Sequence, residues 1–179
     1  MQRMIAGAAA GLLLFAAGAA GAAQVSVTVG PELQRHAKAY GADEVERLRA
    51  DLQKAVSRAL DHAGPKAPER VDLVLESATP NRPTFKQLGE TPGLSMRSLG
   101  LGGAAVTGSA VGADGVIHPI SYRWKETDLR QAVGSATWTD AHRTFDRLAH
   151  RLAKGETPNA GPFHADRGPA AFDSLRRYR

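Results

Sequence analysis

No cysteine occurs among the 179 residues. The chain therefore has no disulfide framework, no thiolate nucleophile and no Cys-based metal site, and nothing after its first apolar run could carry a lipid anchor. Its stability must come from an ordinary hydrophobic core. The serine motifs of hydrolases are missing as well. No Gly-x-Ser-x-Gly elbow occurs, and Ser95, Ser98, Ser109 and Ser121 have no recognisable base or acid nearby in sequence. The glycines of Ser98-Leu99-Gly100-Leu101-Gly102-Gly103 precede a strand pattern rather than a helix, and no Lys-Ser/Thr pair follows, which excludes a phosphate loop. Past residue 23 no apolar run is long enough to span a bilayer. Nor does one charge dominate: 23 Lys and Arg stand against 18 Asp and Glu, a net of +5. That balance suits weak attraction to anionic polymers or lipids and is far from a nucleic-acid-binding composition.

What is present begins with an address. Arg3 precedes an apolar run from Met4 to Ala20, closed by the small residues Ala20-Gly21-Ala22-Ala23. A charged start, a short apolar core and a small-residue end have the pattern of a secretory signal. The run is short and Gly-rich for a membrane span. The expected organisation is a signal peptide over residues 1–23, one domain over 24–155 and a disordered basic tail over 156–179, in a protein of the periplasm or secreted medium. The roughly 130 residues of the middle part suffice for a single core.

Periodicity gives the elements. Val25, Val27 and Val29 alternate with Gln24, Ser26 and Thr28, a half-buried strand. Leu33, Ala37 and Tyr40 have helical spacing over a short stretch, read as a turn of helix or an ordered connector. Val45, Leu48, Leu52, Ala55, Ala59 and Leu60 form the stripe of a longer helix, with Asp43 and Glu46 placed for a capping box. Val71, Leu73 and Leu75 mark a second strand. Two further runs, 104–111 and 116–124, flank Ala113-Asp114-Gly115, a hairpin signal, and Pro119 marks the second as an edge strand or a bulge. A last helix carries Trp138, Ala141, Phe145, Leu148, Ala149 and Leu152, with Thr137 and Asp140 as a second expected capping box. The order β-α-β-β-β-α predicts an α+β fold: a mostly antiparallel sheet of about four strands with two helices on one face. The two strands joined through the first helix should be parallel.

Three short motifs then carry a resemblance. Ala78-Thr79-Pro80-Asn81-Arg82-Pro83 at a strand end, Gly102-Gly103-Ala104 at a strand start, and Thr137-Trp138-Thr139-Asp140-Ala141 opening the final helix resemble uncharacterised exported families of Gram-negative bacteria, many of them envelope lipoproteins. The likeness covers about residues 71–153, and the lipobox cysteine is absent. It implies fold and compartment; no activity and no cofactor comes with it.

Two places are candidates for function. On the last helix His142, Asp146 and His150 recur every four residues and share a face. Such a row could bind a metal or let a carboxylate orient an imidazole, the chemistry of a metal- or histidine-dependent hydrolase. It lies beside the apolar stripe, and Arg143, Arg147 and Arg151 on the neighbouring face oppose a cation; four-residue spacing also arises as a solvated ion-pair face. His118, on a strand face with Tyr122 and Trp124, reads as a packed, hydrogen-bonded core or rim residue rather than a ligand. The second place is residues 80–103, with three prolines, five glycines and no periodicity. Arg82, Lys86 and Arg97 supply cations, and Phe85, Leu88, Leu94, Met96 and Leu99 supply apolar groups that a solvated loop does not need. The expected binding residues are Arg82, Phe85, Lys86, Leu94, Met96 and Arg97, on a non-enzymatic binding or assembly module of the cell envelope. Its expected partner is an envelope protein or an anionic envelope polymer, not nucleic acid. Structural cover of a sheet end is the competing role for the loop.

Overall fold

The structure, a computed structural model, describes residues 23–159. The expected signal peptide and all but the first residues of the expected tail lie outside them. The elements are β1 (Gln24–Val29), α1 (Pro31–Tyr40), α2 (Ala42–Asp61), β2 (Arg70–Thr79), α3 (Phe85–Glu90), β3 (Gly103–Val111), β4 (Ile117–Lys125) and α4 (Thr139–Ala153), with a short 3-10 turn at Leu129–Ala132. The fold is α+β. Its four strands lie in the order β1-β2-β3-β4. β1 and β2 pair in parallel, while β2–β3 and β3–β4 are antiparallel, so the sheet is mixed rather than mostly antiparallel. The parallel pair follows from the helix that joins its strands, since a crossover returns the chain in the same direction.

The sheet buries one face. Val27 of β1, Val71, Leu73 and Leu75 of β2, Val106 and Ala110 of β3 and Ile120 of β4 meet Val45, Leu48, Leu52 and Val56 of α2 and Ala141, Phe145, Leu148 and Leu152 of α4. Alternation of period two on the strands and near four on the helices brings these side chains together without a buried charge among them. A bulge between Leu75 and Ser77 then turns Ala78 into the same core. α2 and α4 run in parallel: Trp138 Nε1 donates to Glu44 at 2.9 Å near their starts, and His142 meets Asp51 at 3.0 Å further along.

α4 and β4 are also in step. Four helical residues advance about 6 Å and two strand residues about 6.6 Å. Side chains every four on α4 therefore face side chains every two on β4. Arg143 lies 3.9 Å from Glu126, the Arg147 guanidinium sits 4.3 Å above the Trp124 ring, and that of Arg151 5.5 Å above Tyr122. The arginine row expected to oppose a metal is instead the packing face toward the edge strand.

Several local expectations need correction. α1 is a full ten-residue helix with Pro31 in its first turn and Leu33 and Tyr40 buried, not a connector. Neither expected capping box forms. α2 follows Gly41, and Glu46 is held by Arg49; α4 follows Trp138, and Asp140 turns inward. The Asp-Gly hairpin is longer than a two-residue turn. Only Gly115 takes positive φ, at 74°, and Asp114 accepts from the Val116 amide at 3.0 Å.

Candidate functional site

The stretch 80–102 is not structureless. Thr84 and Gln87 make the capping box the sequence was expected to place elsewhere: the Thr84 hydroxyl accepts from the Gln87 amide at 3.2 Å, and the Gln87 side chain accepts from the Thr84 amide at 3.0 Å. This starts α3 in the middle of the segment. Short helices are marginal in isolation, so the frame around α3 matters. Asn81 and Asp140, both fully buried, build it. Asn81 Nδ2 donates to Gly100 O at 3.3 Å and to the Asp140 carboxylate, and Asn81 Oδ1 accepts from the Asp140 amide at 2.9 Å. The same carboxylate takes the Gly102 amide at 3.2 Å and Arg143 at 3.0 Å. The backbone adds Gly100 N to Asn81 O and Asn81 N to Thr137 O, each 2.8 Å.

Gly102 is required at this point. A Cβ there would lie 2.6 Å from Asn81 Oδ1, closer than any real contact. The knot thus ties both ends of the segment to the start of α4. A buried carboxylate is costly unless it is paired and hydrogen-bonded, and here it is both. These are the three motifs that carried the family resemblance. Their sequence signal was visible as short polar and glycine patterns, but spacings of 38 and 59 residues hid the fact that they meet.

The predicted binding residues divide. Arg82 is spent inward, donating to the carbonyls of Ser135 and Met96, so it fastens the segment rather than offering a free cation. Lys86 pairs with Glu90 one turn on. Leu94 is half-buried against the fold. Phe85 is 81 % exposed and Met96 47 %, and Val133, on the turn Arg82 reaches, is 71 % exposed. Arg97 is exposed, and its guanidinium meets no partner among the described residues. A rigid end thus presents apolar side chains, with Lys86 and Arg97 as its cations.

The helix row is split. His142 bonds Asp51 of α2 and packs its ring edge-on to Phe145, with centroids 5.9 Å apart. Asp146 and His150 sit further along, on the wall of a shallow groove of about 380 Å³ between α2 and α4. Arg58 and the small side chains of Ala55, Ala59, Ala149 and Ala153 complete that groove. Among the described residues no three His, Asp or Glu side chains stand close enough to hold a metal ion. His118 is exposed at the hairpin end, beyond the reach of the helices, not packed. No helix among the described residues is long and apolar enough to cross a membrane. Protein-family models, curated proteins and solved structures give no match to the chain.

Proposed function

We propose that this chain is an exported binding or assembly module of the Gram-negative cell envelope, docking on an envelope protein through the end that carries Phe85. The observation that supports this most is the contrast between Phe85 and its frame. The ring is 81 % exposed, yet it projects from a helix fixed by a capping box and by the buried Asn81–Asp140 knot. Single exposed apolar residues are ordinary. Here Phe85, Met96 and Val133 ride on segments that one arginine, Arg82, fastens to each other. An ordered apolar patch beside unpaired positive charge is the anatomy of an interface, and Arg97 would steer an acidic rim toward it. The leader-like start and the family resemblance support the periplasm or secreted medium as the compartment.

The test is capture from envelope extracts by the full chain and by its Phe85→Ser and Arg97→Ser variants. Expected is one protein retained by the parent, lost with Phe85→Ser and weakened with Arg97→Ser most visibly at low salt, while all three melt together. Retention by the parent and both variants alike, or retention of anionic polymer or lipid with no protein, refutes the reading. A second reading, a metal- or histidine-dependent hydrolase, is favoured only by Asp146 and His150 on the groove wall. It requires His142 to leave Asp51.

A further inference from the structure

The outer edge of β4 is where the chain after α4 arrives. α4 ends in a tight reversal: Gly155 N donates to Leu152 O at 2.9 Å and Glu156 N to Arg151 O at 3.0 Å. Gly155 takes φ of 76°, and a Cβ there would lie 2.5 Å from Lys66 O. Only glycine suits that turn. The chain then runs back along β4, where Ser121 N donates to Pro158 O at 2.8 Å and Ser121 and Asn159 form a parallel bridge.

We infer that the outer edge of β4 is a strand-pairing site, and that its occupant is the segment Glu156–Asn159 of the same chain, seated in parallel register on Ser121. Topology supports the seat. β4 points the same way as β1, and α2 and α4 cover the same sheet face. A strand leaving β4 through α4 and returning parallel on its far side repeats the β1-α2-β2 crossover, with the same right hand that such units almost always take. The chemistry of the edge fits this occupant. In the register Ser121↔Asn159, the preceding rung sets Pro119 against the segment's Thr157, flanked by Glu156 and Pro158. The two ladder donors that rung would use belong to Pro119 and Pro158, and neither has an N–H. No donor is left unpaired on that rung, and pairing begins where a donor exists, at Ser121. An edge strand otherwise offers a row of main-chain groups to any extended chain. The segment therefore acts as a cover in cis, and the site it fills takes extended segments through main-chain bonds.

Ser121→Pro in the full chain tests this. The Ser121 amide points away from β3, so proline there keeps the β3–β4 ladder and deletes the amide bond to Pro158. Expected is tryptic cleavage after Lys154 about tenfold faster than in the parent, with a melting temperature close to that of the parent. An unchanged cleavage rate refutes the seat. The second measurement keeps the parent intact and follows exchange of the Ser121 amide. Slow exchange independent of protein concentration is expected. Exchange as fast as in the hairpin turn overturns the site, and protection that fades on dilution assigns the occupant to a second copy and overturns the cis cover.

Discussion

Replacing Gly102 by Ala places a methyl carbon 2.6 Å from Asn81 Oδ1, 2.8 Å from its Cγ and 2.9 Å from its Nδ2. These are the three nearest atoms, so the cost of the methyl is the cost of displacing one side chain. Asn81 cannot swing away freely, because Gly100 O, the Asp140 carboxylate and the Asp140 amide hold it. Neutral hydrogen bonds contribute about 1 kcal/mol each and those to a charged group about 1.5–3 kcal/mol. Gly102→Ala should therefore cost about 3–5 kcal/mol, a large share of a total on the order of 5–15 kcal/mol. Asn81→Ala should cost a similar amount, since it removes the same bonds and leaves Asp140 with fewer partners. The double variant is decisive. With Asn81 truncated, the methyl at residue 102 loses its obstacle and adds almost nothing, or stabilises by about 0.4–1 kcal/mol through the unfolded chain. Urea denaturation of the four proteins then gives a coupling energy of about 3 kcal/mol or more. Additive costs, with the double variant near the sum of the singles, would show that Gly102 is not held by Asn81 and refute the reasoning.

Phe145→Ala should lower stability by about 3–5 kcal/mol, because the ring is buried between sheet and helices, and denaturant melts measure it. His142→Ala should change it by about 0–1 kcal/mol, the worth of an exposed pair with Asp51, and His150→Ala by under about 0.5 kcal/mol. Arg147→Ala should cost about 0.5–1 kcal/mol through its lost place over Trp124, accompanied by a change in indole emission. The Arg130 hydrogen bonds hold the Asp128 carboxyl below its ordinary value of 3.8. Its contribution is thus present above that value and lost as pH falls through the lowered one, and the Asp128 side-chain resonance should titrate below its unfolded counterpart.

Long regular periods were legible and the special geometries were not. β1, α2, β2 and α4 could be read because burial on one side of a sheet imposes a period of two on strands and near four on helices, and Val25, Leu48, Leu73 and Phe145 obey it. The parallel pairing of β1 and β2 followed from the helix between them. α3 leaves no stripe in the sequence because six residues carry no period; its only local signal is the box Thr84–Gln87. Asp140 was read as a cap because its spacing from Thr137 is right for one, but spacing does not reveal that Asn81 and Gly102 lie within its reach. Arg82 looked like a surface cation for the same reason: its carbonyl partners lie 14 and 53 residues away. Phe85 was legible as apolar and out of place, and it is the most exposed large apolar side chain among those described.

The Asn81–Asp140 knot joins groups 59 residues apart, with Gly102 between them. Closing so long a span is entropically expensive until α4 has packed on the sheet and carried Asp140 into place. The segment bearing Phe85 should therefore be among the last parts of the chain to acquire its shape, after the strands and the two long helices. Weakening the knot should leave the refolding rate nearly untouched and appear almost wholly as faster unfolding. The end that carries Phe85 is thereby tied to completion of the fold: in a chain caught before α4 docks, that end has no rigid form, and the proposed docking would have to wait for it.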